Sequence, residues 1–111
     1  FNMSFCEIDK RATKELAPGV HARTFWGEKM LLAYVEIAAH GKVPNHSHPH
    51  EQCGTVSAGE VVFCINGEEE RTLTVGDCYV IPGGVEHWAT AGSAPAVLVE
   101  VFSPVREEYK Y

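Results

Sequence analysis

Short runs of apolar residues separated by turn residues recur along most of the chain. The runs are rich in β-branched and aromatic residues and cover positions 20–26, 29–39, 51–57, 61–66, 71–75, 78–81, 87–90 and 96–102. Glycine, proline and asparagine stand between them, and Asn66-Gly67 between two apolar runs is a strong hairpin signal. Many short strands at close spacing predict an all-β protein, an antiparallel sandwich or barrel. A helical period is weak and confined to residues 1–16.

Residues 30–39 form a run that is apolar at both its odd and its even positions. A strand with one solvated face should alternate between apolar and polar residues, and this one does not. We therefore expect one face to pack against a second sheet and the other against a partner subunit. The protein is predicted to be a homodimer.

The last apolar run, residues 96–102, contains one carboxylate among apolar residues. The valines of this run share one face of a strand, and Leu98, Glu100 and Phe102 share the other. Glu100 lies either on a wet outer face or in a buried position with a purpose, and the pattern allows both. If it is buried beside a cation, desolvation and charge would compete in setting its pKa, which suits a general acid or base.

Three histidines have a spacing that suits a metal site. His46 and His48 are two residues apart, so in an extended chain they point to the same side. His87 follows a Pro-Gly-Gly turn almost forty residues later. Such a set is a common ligand shell for first-row metals, although a histidine-rich surface loop would have the same sequence. Gln52 has the parity of the pair and Glu51 the opposite parity, but the turn at Pro49 weakens this count.

The other histidines and Trp88 receive simpler interpretations. His21 and His40 are expected on the surface or in the core without a ligand role. His50 belongs to the same cluster but falls beside the turn at Pro49, which makes it a poor ligand candidate. Trp88 is expected mainly in the core, with the wall of a pocket as the alternative.

Length and charge narrow the class of protein further. A chain of 111 residues fits a single domain spanning residues 1–111. The net charge of −6 argues against a nucleic-acid surface, and no run approaches the roughly 20 apolar residues of a membrane span. The scattered charges of residues 1–16 do not resemble a secretory signal, so we expect a cytoplasmic protein. Its four cysteines are then expected to be reduced and partly buried.

Two segments of the chain resemble the paired motifs of the cupins, G-x5-H-x-H-x3,4-E-x6-G and G-x5-P-x-G-x2-H-x3-N. The second motif is matched at Gly76, Pro82, Gly84 and His87, and the first at Gly41, His46, His48 and Gly59. Three departures are present: the gap before His46 is four residues instead of five, Gln52 replaces the usual Glu, and Ala91 replaces Asn.

This resemblance implies a fold and a cofactor. The fold would be the cupin double-stranded β-helix, a jelly-roll barrel, here with a short N-terminal extension. The cofactor would be one divalent transition metal (Ni, Fe, Mn, Zn or Co) held by His46, His48, Gln52 and His87. The alternatives for the fourth ligand are Glu51, or a water molecule with Gln52 next to the ligands. Four neutral ligands would leave the full charge of +2 on the ion and make it a stronger Lewis acid than a carboxylate-bound ion.

A narrower resemblance comes from the sequence around the histidines together with the C-terminal strand. His-Ser-His-Pro-His-Glu-Gln at 46–52 and Glu-Val-Phe-Ser-Pro-Val-Arg at 100–106 are similar to the short cupins of the KdgF type, which linearise unsaturated uronates from pectin breakdown. The resemblance implies an isomerase-type enzyme in which Glu100 and Phe102 take part in catalysis, although the family usually has Asp in place of Glu.

Arg106 is a candidate anchor for the carboxylate of an anionic sugar acid. The alternative for Arg106 is a salt bridge with Glu107, Glu108 or Glu7. Two other functional classes compete with the isomerase: a cupin-type Fe(II) dioxygenase, and a non-catalytic module that binds metal or sugar.

Overall fold

Ten β-strands carry the fold in the computed structural model, which describes residues 5–111. The strands are β1 Lys14–Ala17, β2 Val20–Trp26, β3 Leu31–Ile37, β4 Lys42–His46, β5 Glu51–Ala58, β6 Val61–Ile65, β7 Arg71–Leu73, β8 Cys78–Ile81, β9 His87–Ala91 and β10 Ala96–Ser103. Single turns of 3-10 helix occur at Ile8–Lys10 and Glu107–Tyr109. Within residues 5–111 no helix has the length and apolarity needed to cross a membrane.

The strands form two antiparallel sheets around one apolar core. The larger sheet has the order β1-β2-β3-β10-β5-β8 and the smaller one β4-β9-β6-β7. Alternate residues of both sheets point inward, and the side chains buried in the core include Val20, Leu31, Ile37, Val56, Val61, Phe63, Tyr79, Ile81, Leu98 and Phe102. The predicted all-β jelly-roll fold is therefore confirmed.

Each predicted apolar run corresponds to a strand, and two further strands were not predicted. Asn66 and Gly67 have positive φ angles of 60° and 65° and lie in the turn of the β6–β7 hairpin, as expected. The weak helical period of residues 1–16 corresponds to no α-helix in the described residues, where one 3-10 turn precedes β1 and β1 pairs with β2. Residues 1–4 lie outside the described part of the chain. Strand β4 escaped prediction because its sequence, Lys-Val-Pro-Asn-His, is mostly polar.

A bulge in β4 decides which way its last residue faces. Val43 pairs with Ala89 and His46 pairs with His87, so three steps along β4 match only two steps along β9. The extra residue reverses the alternation of side chains, as bulges beside functional sites often do. His46 therefore lies on the inward-facing side of the sheet, directly opposite His87.

The outer face of the larger sheet remains apolar. The inward residues of β3 are buried, whereas Leu32 and Tyr34 on its outer face are only half-buried. Val99 lies opposite Tyr34 and Val101 opposite Leu32, so the apolar surface continues onto β10.

All four cysteines are free, and the expectation of partial burial was wrong for Cys53 and Cys78, which are exposed.

Two glycines with positive φ allow a matched test of how tightly the ends of the strands pack. Gly59 has φ +69° and a Cβ there would collide with the Pro95 carbonyl oxygen, whereas Gly67 has φ +65° and open space. Alanine at either position should cost about 1–2 kcal/mol through the left-handed backbone. Gly59→Ala should cost about 1–3 kcal/mol more through overpacking. Urea unfolding of both variants checks this, and equal losses would contradict the packing described for Gly59.

Candidate metal centre

Three imidazoles converge on one point inside the protein. His46 ends β4, His87 begins β9 opposite it, and His48 follows in the connection to β5. One ring nitrogen from each of these residues lies within 4.8 Å of the other two, a separation at which they could hold a single metal ion. The predicted histidine set is thus brought together in space.

The turn before His87 is docked on the segment that carries His48. Gly84, with φ +80°, donates its backbone N–H to the His48 carbonyl oxygen at 2.8 Å. Gly83 passes so close to the Pro49 carbonyl oxygen that a Cβ could not be accommodated. These two glycines therefore fix how the turn sits against the segment containing His48, and His87 follows directly from it.

The hydrogen bonds of two of the three rings determine which nitrogen is free. Each Nδ1 lies near a carbonyl oxygen of the backbone: 2.8 Å for His46 and Pro44, 3.1 Å for His48 and His50, and 2.9 Å for His87 and Val85. Both ring nitrogens of His48 face oxygen atoms, the His50 carbonyl and Gln52 Oε1, so its hydrogen bonds allow either tautomer. For His46 and His87 the carbonyl only accepts, so Nδ1 carries the proton and Nε2 presents its lone pair. This is the tautomer that metal-bound histidines adopt. Nε2 of His87 is buried and has no hydrogen-bond partner among residues 5–111.

Burial keeps two of these rings neutral. Desolvation lowers the pKa of His87 to about 4, with smaller effects from His46, His48 and Arg106 in the same direction. Desolvation and then the Arg106 charge also lower the pKa of His48. Neutral imidazoles are the form that binds metal, so both rings are available as ligands near neutral pH.

Gln52 lies beside the triad and Glu51 does not. Gln52 is 4% exposed, and its Oε1 is 2.9 Å from Nε2 of His48, whereas Glu51 is exposed. Gln52 donates its Nε2 to Glu100, so its Oε1 faces His48, and with the His48 proton on Nδ1 this contact would join two acceptors. A cation between them would remove the repulsion, because the oxygen of a neutral amide and an imidazole nitrogen both bind divalent transition metals. The donors present therefore fit such an ion.

Glu100 is buried, which resolves the two alternatives left by the sequence. It is 7% exposed on the inner face of β10, and its Oε2 accepts hydrogen bonds from Gln52 Nε2 and from the Tyr79 hydroxyl, both at 2.6 Å. Oε1 accepts no hydrogen bond from the described residues. Desolvation raises the pKa of Glu100, against the opposing effects of these two hydrogen bonds and of Arg106.

Arg106 is buried against aromatic rings. It is 9% exposed, and its guanidinium carbon lies 4.0 Å from the ring centre of Tyr109 and 5.2 Å from that of Phe102. One of the salt bridges considered from the sequence is present, a loose 3.7 Å contact from Nε to Glu108. The other two carboxylates pair with lysines three residues away, Glu7 with Lys10 and Glu107 with Lys110. Nε of Arg106 has no hydrogen bond within the described chain.

These groups, apart from His48, line one cavity of about 280 Å³. Its polar lining includes His46, His87, Gln52, Glu100 and Arg106, and its apolar lining includes Phe102, Leu98, Val35 and Trp88. Trp88 was expected mainly in the core, but it is half-buried and forms part of this wall. The cavity thus combines a possible metal site, a carboxylate and a cation within a partly apolar enclosure.

Two tyrosines near the site were not predicted, and the other three histidines are not part of the triad. Tyr79 and Tyr109 were missed; for Tyr79 the only signal was its position on the same face of β8 as the apolar Ile81. His50 is not part of the triad, and its ring centre is 5.7 Å from that of His48. His21 and His40 are exposed, in agreement with the absence of a predicted ligand role.

Comparison with known proteins agrees with this architecture. Residues 33–102 match the family model of the cupin domain. The chain is 28% identical over 103 residues to the pectin degradation protein KdgF of Dickeya dadantii (strain 3937), covering 91% of this chain and 93% of that protein. The solved structure of KdgF from Halomonas sp. matches with a TM-score of 0.86 and 25% identity, over 95% of this chain and 96% of that one. The resemblance to KdgF-type cupins is therefore confirmed.

A further solved structure supports the fold alone. An RmlC-like cupin from Shewanella frigidimarina NCIMB 400 matches with a TM-score of 0.87 at 22% identity, over 96% of this chain and 95% of that one.

Gln52 and Glu51 form a natural pair for testing the fourth ligand. Gln52→Ala should weaken binding of Ni²⁺ or Zn²⁺ about 10-fold or more, because it removes an oxygen next to the triad. Glu51→Ala should leave the affinity unchanged, because its side chain is exposed. Titration calorimetry and the gain in melting temperature on adding metal measure both effects. A larger loss for Glu51→Ala, or no metal binding by the unmodified protein, would contradict the site.

Proposed function

Since this chain belongs to the cupin family, we propose that it is a metal-dependent isomerase acting on 4,5-unsaturated uronate sugars from pectin or alginate breakdown. It would convert them to the linear keto form by ring opening and tautomerisation. The main support is one cavity lined by two histidines of the triad, a buried carboxylate with one free oxygen, and a buried guanidinium, with His48 completing the triad beside it. The likeness to proteins named for pectin degradation supports the substrate class.

The proposed cofactor is one divalent transition metal, Ni, Fe, Mn, Zn or Co. His46, His48, His87 and Gln52 would hold it. When bound, it supplies a Lewis acid for the oxygens of the sugar. Because all four ligands are neutral, they would not reduce the charge that the ion offers to an anionic substrate.

Glu100 is proposed as the catalytic acid and base. Opening the ring breaks the bond between C1 and the ring oxygen while Glu100 takes the proton of the C1 hydroxyl, so that C1 becomes an aldehyde. The ring oxygen stays on C5 as an enolate. Glu100 then returns the proton to C4, and C5 becomes a ketone. The proton is conserved and no other reactant is needed, as an isomerisation requires.

Arg106 and Phe102 are proposed to bind the substrate around the reacting atoms. The guanidinium of Arg106 is buried, and its loose contact with Glu108 leaves it able to pair with a substrate carboxylate. The stacking of Arg106 on Tyr109 restricts its orientation. Phe102 lines the cavity and would exclude water from the enolate.

The reaction can be followed by the loss of double-bond absorbance of an unsaturated uronate released by lyase digestion of pectin. The absorbance should be lost faster with metal-loaded protein than in the spontaneous reaction without protein. Glu100→Gln should lower kcat by about 10²–10⁴, since it removes the general acid and base. Arg106→Met should mainly raise KM, and Glu28→Gln, an exposed carboxylate in the turn after β2, serves as the control. No acceleration with any of the five metals would contradict the proposal, and oxygen uptake with Fe(II) alone would favour a dioxygenase.

We also propose that the protein is a homodimer formed through the outer face of the larger sheet. Leu32, Tyr34, Val99 and Val101 form a half-buried apolar patch at its centre. Val80 extends the patch at the edge and is 61% exposed. A contiguous apolar face of this kind is costly to leave in water, and a second copy would cover it with a surface of the same chemistry.

Light scattering tests this arrangement. The unmodified protein should have about twice the chain mass of 12.2 kDa. Val99→Asp should yield a monomer, because the charge would be buried at the centre of the interface. Val75→Asp is the control, since Val75 is 64% exposed and lies outside the sheet. A monomeric unmodified protein, or an unchanged mass for Val99→Asp, would contradict the proposed dimer.

A further inference from the structure

One residue from each of three neighbouring strands forms a layer across the larger sheet, and this layer ends at the buried carboxylate of Glu100. Tyr79 on β8 lies opposite Gly54 on β5, and Gly54 lies opposite Glu100 on β10. Residues directly opposite each other in a sheet point to the same face. This layer therefore directs Tyr79 and Glu100 toward the interior, with a glycine between them.

The glycine in the middle leaves room for the tyrosine to cross β5. A Cβ at position 54 would lie 2.6 Å from the Tyr79 hydroxyl oxygen and 2.7 Å from the ring carbon that carries it. Any other residue there would displace the phenol. Strands are about 4.8 Å apart, so Tyr79 can reach a residue two strands away only across an empty position.

We propose that Tyr79 is a positioning residue that holds Glu100 in the orientation needed for proton transfer, an inference that rests on the proposed function. The hydroxyl donates to Glu100 Oε2 at 2.6 Å, and Gln52 Nε2 donates to the same oxygen. A carboxylate oxygen has two lone pairs, so these two donors occupy Oε2. The proton that passes to and from the substrate is therefore carried by Oε1, which the described residues leave free.

Tyr79 is well suited to this role because it is itself fixed. Its side chain is 7% exposed, and its ring centre lies 4.5 Å from that of Phe63 on β6 of the other sheet. Gln52, the other donor, is also in contact with His48. Tyr79 has no contact of this kind with the triad, and it holds the carboxylate from the side of β8.

Tyr79→Phe removes the hydroxyl and keeps the ring. In metal-loaded protein it should lower kcat about 10-fold to 100-fold, the effect of losing one hydrogen bond to a charged group, with KM changed less than 3-fold. Thr72→Val, which removes a hydroxyl from the exposed side of β7 in the smaller sheet, should leave both constants unchanged. Metal content and melting temperature are measured for both variants, so that a loss of activity through unfolding is recognised.

A double variant separates positioning from a general structural effect. If Tyr79 acts through Glu100, then Tyr79→Phe should cause no further loss of rate in a Glu100→Gln background. An equal fold-loss in both backgrounds, or full kcat for Tyr79→Phe while Glu100→Gln is impaired, would overturn the inference and leave the proposed function standing.

Failure of the proposed function itself is recognised separately, because the unmodified protein would then not accelerate ring opening. The inference is still tested in that case by crystal structures of the unmodified protein and Tyr79→Phe. The Glu100 carboxylate should rotate or lose order in the variant. An identical carboxylate position in both structures would overturn the positioning role.

Discussion

Strand β10 is the element on which the rest of the structure depends, because it pairs with β3 on one side and β5 on the other. Backbone hydrogen bonding on both edges fixes its register and so fixes which of its residues face inward. The alternation then places Glu100 and Phe102 in the cavity and the valines on the outside. A shift of one residue would exchange the two faces, removing the carboxylate from the cavity and burying the outer valines.

Much of this arrangement is predictable from the sequence, and the remainder has a physical explanation. The period of two in β10 predicts that Glu100 shares a face with Phe102, but burial depends on what covers that face, which is long-range information. The approach of His46 to His87 depends on the bulge in β4. A bulge is a property of the pairing of two strands, so the polar sequence of β4 alone does not predict it.

The position of Gln52 and the role of Tyr79 also differ in how far the sequence predicts them. Gln52 had the parity of the histidine pair, and its burial beside His48 agrees with that argument, although its role as a ligand stays a prediction. Tyr79 could not be recognised, since a tyrosine in a short strand is usually a core residue. Its contact with Glu100 arises from the register of three strands and from the absence of a side chain at Gly54.

Because Gly54 has no side chain, the residues that can be accommodated at positions 54 and 79 depend on each other. Gly54 and Tyr79 are 25 residues apart in the chain, yet the space of one is filled by the other. A relative that acquires a side chain at the position of Gly54 must therefore lose the tyrosine opposite it or move its strand. The two positions are expected to covary among related sequences, with glycine retained wherever the tyrosine is retained.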